Sequence, residues 1–196
     1  MTLLIVGLIL FLGLHLIRIF APGFRNGVIA RFGKPVWIAG HSILSTLALV
    51  LVIYGFGEAR EVTGMLWYPP VWMAHIAVTL MLVSSICLVA AALPAGHIAM
   101  KTKYPVIVSI KVWALAHLLA NGETASVLLF VSFLVWAVLL RIMMKRRERA
   151  GEVKPRVFVS AKYDIVAVVL GAALWALIVF RLHEWLIGVA PLGAMG

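Results

Sequence analysis

The sequence predicts an all-α protein: a polytopic six-helix transmembrane bundle with both termini in the periplasm. Three observations predict it, namely a very apolar composition, six apolar runs of helical length, and basic residues confined to alternate loops. Hydrophobic residues make up 64% of the chain and charged residues 12%, whereas a soluble domain has about 45–50% and about 25%. The composition therefore identifies an integral membrane protein.

Each apolar run is bounded by residues that favour the start or end of a helix. Proline opens some runs and glycine follows others, as at ordinary helix boundaries. The first run lacks a basic leader and a good cleavage site, so we expect a retained helix rather than a signal peptide. A span needs about 20 residues, and six spans in one domain over 1–196 are predicted at 2–20, 37–57, 71–93, 105–120, 124–144 and 163–182.

Basic residues follow the first, third and fifth runs, and the other loops hold few of them. The net charge of +10 is mostly this asymmetry. Positively charged loops stay in the cytoplasm, so the alternation predicts periplasmic termini and a bacterial inner (cytoplasmic) membrane location. The cluster at 145–156 indicates attraction to anionic membrane lipids rather than nucleic-acid binding.

Histidines at membrane depth are costly unless they face a partner, a cavity or a cofactor. Interfacial hydrogen bonding is the favoured explanation for His41 and His97, and for His183 it is as good as any other. The remaining three lie further in, where histidine forms a helix–helix hydrogen bond or an axial bond to non-covalent haem. The predicted depths form two groups, an outer one of His75, His117 and His183 and an inner one of His15, His41 and His97.

Three other residues stand near these histidines or at membrane depth. Lys111 falls mid-span, where we expect a buried carboxylate, carbonyl or haem propionate as its partner. Arg18 follows His15 by one turn on the same face, close enough to the inner surface to snorkel. Trp113 precedes His117 by one turn and either packs on the same ligand or fills the core.

Other classes of site are absent from the sequence. There is no hydrolase, kinase or nucleotide-binding motif, and the single Cys87 excludes an internal disulfide or a cysteine-rich metal site. Ser84 and Ser85 are interpreted as helix-packing residues.

The segment Lys111–Gly122, KVWALAHLLANG, strongly resembles the signature of NnrU-family membrane proteins. Leu14-His15, Leu66–Pro70 and Trp185–Pro191 resemble further landmarks in the same order, so the resemblance covers essentially the whole chain. The family name comes from a gene product associated with expression of nitrite and nitric oxide reductases in denitrifiers. A plant and cyanobacterial relative, 15-cis-zeta-carotene isomerase, uses haem b held by histidines.

The resemblance implies haem b with His15 and His117 as its iron ligands, beside Arg18, Lys111 and Trp113. With straight helices, however, His15 and His117 differ in depth by on the order of 10–15 Å at 1.5 Å per residue. The pair His75 and His117 matches better in depth and is therefore the second candidate, after His15 and His117.

The family often carries Arg/Lys-His-Pro before the fourth helix, a tripeptide shared with related membrane methyltransferases. Here the residues are Lys103-Tyr104-Pro105, and the missing histidine disfavours a methyltransferase, which is the third hypothesis. The first is a haem b protein with a redox- or ligand-linked role in nitrogen-oxide respiration, or with isomerase-like chemistry on a lipophilic polyene. The alternative is a cofactor-free accessory or assembly protein for respiratory reductases.

Overall fold

A computed structural model describes residues 1–193, and within that range the chain is helical, with a single isolated β-bridge between Met65 and Glu123. The all-α prediction is confirmed, and the last three residues of the predicted domain 1–196 lie outside the described residues. The helices are α1 Thr2–Phe20, α2 Pro22–Phe32, α3 Lys34–Val62, α4 Val71–Ala92, α5 His97–Thr102, α6 Pro105–Ala120, α7 Thr124–Arg149, α8 Lys162–Leu177, a π-helical turn Ile178–Leu182, and α9 His183–Ile187.

Within residues 1–193, five helical segments are long and apolar enough to cross a membrane: α1, α3, α4, α7 and the continuous stretch Lys162–Ile187. This fits a multi-pass membrane protein. The sixth predicted span, α6, is apolar but has only 16 residues, fewer than the about 20 that a straight span needs. Helices α3 and α7 extend past their apolar runs because their polar terminal turns continue the same backbone hydrogen bonding.

Two short helices, α2 and α5, occupy segments that the sequence left as loops. Helix α2 begins with Pro22 in its first turn and has no buried residue. Helix α5 has six residues. The search for long apolar runs finds membrane spans, so it passes over short helices whose composition is mixed.

The chain divides into two compact units, 1–66 with 123–132, and 67–122 with 133–193. In the first unit, α1 packs along α3 at two glycines. A Cβ atom at Gly7 would lie 2.7 Å from the Val52 nitrogen, and one at Gly55 would overlap the Leu4 backbone. The two helices therefore meet backbone to backbone, as small residues allow in membrane proteins.

In the second unit, α4 packs against both α6 and α8. The Ser84 hydroxyl donates to the Ser109 carbonyl of α6 at 2.9 Å, and both side chains are buried. On the other side, Gly171 of α8 lies so close to Ile86 that a Cβ there would be 2.6 Å from its Cα atom. The helix-packing interpretation of Ser84 is confirmed.

Two charged side chains of the second unit form hydrogen bonds with backbone groups at helix ends. The Asp164 carboxylate accepts hydrogen bonds from the backbone N–H groups of His97 and Ile98, at 2.8 and 2.9 Å, at the start of α5. The Arg156 guanidinium donates to the carbonyls of Ala90 and Leu93 at the end of α4. These groups have no partner within their own helix, so both contacts fix the connection from α4 to α5.

Replacing Gly55 by alanine should destabilise the first unit because the new methyl group overlaps the Leu4 backbone. Overpacking of this kind costs about 1–3 kcal/mol. Gly57→Ala is the matched control, since nothing lies within 4 Å of a Cβ at that position of the same helix. Thermal unfolding in detergent should show a lower midpoint for Gly55→Ala and no loss for Gly57→Ala; equal midpoints would contradict the close approach.

Candidate functional site

Each unit brings two histidines together. In the first unit, the rings of His15 on α1 and His41 on α3 have centroids 5.3 Å apart and are nearly perpendicular, at 77°. His15 donates from Nδ1 to the Phe11 carbonyl at 2.7 Å. His41 faces the Leu14 carbonyl through Nε2 at 3.3 Å and the Ser45 hydroxyl through Nδ1 at 3.4 Å.

These contacts give the two rings different chemistry. A carbonyl oxygen only accepts, so the nitrogen facing it carries the proton. Neutral His41 is thus protonated on Nε2, and its Nδ1 accepts from the Ser45 hydroxyl. Neutral His15 is protonated on Nδ1, which leaves its lone pair on Nε2.

In the second unit, His117 of α6 lies beside His183 of α9. Their ring centroids are 6.2 Å apart and the planes are inclined by only 22°. His117 donates from Nδ1 to the Trp113 carbonyl at 2.8 Å, and His183 donates from Nδ1 to the Val189 carbonyl at 2.7 Å. Both neutral rings therefore have their lone pairs on Nε2.

Local backbone features position His183. The π-helical turn Ile178–Leu182 comes immediately before it and inserts an extra residue into the helix, which changes the direction of the following side chains. Gly188 adopts the left-handed conformation, with φ 75°, and ends α9. The chain turns there, so the Val189 carbonyl reaches back to the ring of His183.

A cavity of about 140 Å³ lies next to this histidine pair. Both histidines and Asn121 line it, together with Trp175 and apolar side chains of α4, α6 and the π-helical turn. Asn121 donates to the His117 carbonyl at 2.8 Å, and Trp175 donates to the Val78 carbonyl at 2.9 Å. The surrounding polar groups are thus held by backbone carbonyls.

The other predicted site residues fall in different surroundings. The Trp113 ring lies 5.3 Å from the His117 ring and 5.3 Å from Phe133, so it packs beside this histidine. Lys111 is half-buried on α6, and within residues 1–193 its ammonium has no hydrogen bond or ion pair. Arg18 is exposed at the end of α1, and His75 is exposed on α4, outside the cavity lining.

His15 and His117, the pair implied by the resemblance, belong to different units, so that pairing stays a prediction. The sequence did not propose His183 and His41 as site residues. The predicted depths contained relevant information, because His41 and His183 each lie beside a histidine of the same predicted depth group. Predicted depth was insufficient by itself because it does not say which helices are adjacent.

Among the described residues there is no group of three or more His, Cys, Asp or Glu side chains that could hold a metal ion. A haem iron needs fewer protein donors, since the porphyrin supplies four nitrogens. Paired imidazoles with Nε2 lone pairs fit that requirement, because a ligating histidine usually donates its other N–H to a carbonyl or carboxylate.

The fold defines a multi-pass helical membrane protein with a pair of histidines in each of its two units. A family model described as "NnrU protein" matches residues 3–191, nearly the whole chain, and the protein therefore belongs to that family. Comparisons with curated proteins and with solved structures gave no match.

The hydrogen bonds predict the Nδ1-protonated tautomer at His15, His117 and His183, whereas His41 should carry its proton on Nε2. Nitrogen-15 NMR of histidine-labelled protein distinguishes a protonated from an unprotonated ring nitrogen, and single His→Gln variants assign each signal. The spectrum is recorded at a pH where the rings are neutral. An Nε2-protonated His117 or His183 would contradict the geometry, with His41 as the internal comparison.

Proposed function

We propose that this NnrU-family protein binds haem b in the bacterial inner membrane, with His117 as an axial ligand. One observation carries the proposal: the Nδ1–H of His117 donates to the Trp113 carbonyl at 2.8 Å. This bond fixes the ring and puts the lone pair on Nε2, as at a ligating histidine. His117 also lies in the segment that most resembles the family signature.

Three histidines are candidates for the second ligand. His15 has the same i−4 hydrogen bond as His117 and is the partner implied by the resemblance, so it ranks first. His75 is the second candidate on predicted depth. His183 is a further one, because its ring has the same tautomer and lies 6.2 Å from that of His117.

The donor chemistry fits haem, whereas the cavity beside His117 does not fit a porphyrin. Drug-sized ligands occupy pockets of about 300–1,000 Å³, and this cavity has about 140 Å³. Only the histidine nitrogens, and not this cavity, therefore support haem binding. Bound haem would supply one-electron or gas-ligand chemistry; the protein holds the Nε2 lone pairs, and Lys111 and Arg18 are cations suited to propionates.

The role that follows is redox- or ligand-linked, in nitrogen-oxide respiration or in isomerisation of a lipophilic polyene. Partners would then be a respiratory reductase or a lipophilic substrate. The competing role is a cofactor-free accessory protein for nitrite and nitric oxide reductases. Haem binding separates the two, because an accessory protein without cofactor needs no Nε2 ligand.

We further propose that α6 is a sixth span, which places both termini in the periplasm. The two ends of α6 favour this. Helix α6 begins at Pro105 after the basic residues Lys101 and Lys103, and the loop 121–123 that follows it contains no Lys or Arg, as the positive-inside rule expects for a span.

The topology can be tested with single cysteines, since Cys87 is buried and is the single native cysteine. In a Cys87→Ser background, Glu61→Cys should react with a membrane-impermeant maleimide in intact cells. Glu152→Cys should react only after the membrane is permeabilised, which also shows that this site is accessible. Labelling of both positions in intact cells, or of neither, would contradict α6 as a span, and labelling of Glu152→Cys alone would overturn the proposed orientation.

Purified protein should show a Soret band that shifts on dithionite reduction, because bis-histidine haem b changes its absorption with oxidation state. In His117→Ala the haem content, measured from the intensity of the Soret band, should fall by tenfold or more. His15→Ala, His75→Ala and His183→Ala are compared next, and the second ligand is the one whose loss changes the spin state.

His97→Ala is the matched control, since His97 is an exposed histidine at the start of α5, where its ring packs on Phe158. It should keep the wild-type spectrum. A folded wild-type protein without a Soret band, even after haem supplementation, would contradict haem binding and favour the accessory role.

A further inference from the structure

A larger cavity, of about 470 Å³, lies where α4 ends and α6 begins in the second unit. We name it the basic cavity, because Lys103, Lys154 and Arg156 line it against one carboxylate, Glu148, a net formal charge of +2. Its other walls are apolar and include Ala91 and Val106. The cavity is thus lined by both cationic and apolar side chains.

Lys103 adopts a strained backbone conformation at the edge of this cavity. Its φ is 61° and its ψ is −44°, and the Tyr104 N–H bonds to the Thr102 carbonyl at 2.7 Å. This is the rare form of the γ-turn, and such strain is retained where the surrounding structure requires it, often at binding sites. Arg141 stabilises the turn by donating a hydrogen bond to the Thr102 carbonyl at 2.8 Å.

Glu148 is already engaged and leaves the cationic character of the cavity in place. Its carboxylate accepts from the Lys103 ammonium at 2.6 Å and from the Tyr104 hydroxyl at 3.2 Å. Burial, and then the hydrogen bond and charge of Glu148, raise the pKa of Tyr104, so its phenol stays protonated and donates. The charge of Glu148 is offset by Lys103, which leaves Lys154 and Arg156 as the excess cations.

Arg156 and Lys154 differ in how they are held. The guanidinium of Arg156 is fixed on the Ala90 and Leu93 carbonyls, which keeps its positive charge in position without neutralising it. Lys154 is exposed and, within residues 1–193, forms no hydrogen bond or ion pair. One cation is therefore preorganised and the other is available to a ligand.

We propose that the basic cavity binds the headgroup of a phospholipid with a net negative charge, with an acyl chain against Ala91 and Val106. The cavity lies beside the ends of the apolar helices α4 and α6, where a juxtamembrane basic cluster attracts anionic headgroups. Its volume falls in the range of about 300–1,000 Å³ for small-molecule sites. A soluble anion would contact the cationic lining residues and leave the apolar lining without a partner. This site is separate from the proposed haem ligand, and its test does not depend on haem.

The test uses full-length protein, delipidated in a neutral detergent, and follows the thermal unfolding midpoint during titration with phosphatidylglycerol. The midpoint should rise and saturate, because a ligand of the folded state stabilises it. Phosphatidylcholine with the same acyl chains and inorganic phosphate should each give no saturable rise. Lys154→Gln should raise the half-saturating concentration of phosphatidylglycerol about fivefold, the loss expected for one cation near a lipid headgroup.

Lys145→Gln is the matched control, since Lys145 is an exposed lysine of the same basic stretch outside the cavity lining. Its half-saturating concentration should stay within about twofold of wild type. Three outcomes would overturn the proposal: a rise with phosphatidylcholine equal to that with phosphatidylglycerol, saturation by inorganic phosphate alone, or an equal loss in Lys145→Gln and Lys154→Gln.

Discussion

Polar groups inside apolar helices have no water to bond with, so each must be paired within the protein or remain costly. In this protein the commonest partner is the carbonyl one helical turn earlier. His15, His117 and Ser85 all donate to the carbonyl four residues before them. The pairing satisfies the side chain without a second helix, and for histidine it also selects the tautomer.

That tautomer links the fold to the proposed chemistry. Once Nδ1 is committed to a carbonyl, the lone pair of a neutral imidazole lies on Nε2, the atom that ligates iron. His117 and His183 reach this state by different routes, one along its own helix and the other through the turn at Gly188. The tautomer of each ring is therefore fixed by backbone geometry alone.

Helix α6 joins the two proposed sites of the second unit. It begins just after the strained turn at Lys103 and carries His117 near its end, and its 16 residues extend about 24 Å at 1.5 Å per residue. The Ser84–Ser109 hydrogen bond holds α6 on α4 between them. A rigid α6 keeps the basic cavity and the histidine pair at opposite ends of one helix.

The sequence by itself determined the class of the protein. Its composition and apolar runs predicted an all-helical membrane chain, because so much apolar surface cannot be left exposed to water. The resemblance around His117 indicated the family. The span ends at prolines could be predicted from local backbone chemistry. The short helices α2 and α5 could not be predicted, because neither contains a long apolar run.

Only the tertiary structure decided which polar residues meet. The approach of α9 to α6 places His183 by His117, and it depends on a π-helical turn and a left-handed glycine that hydropathy cannot detect. The basic cavity likewise needs Lys103 and Arg156, which are distant in sequence, to line one cavity. Apolar runs specify which segments become helices, but side-chain shape and hydrogen bonding specify which helices become neighbours.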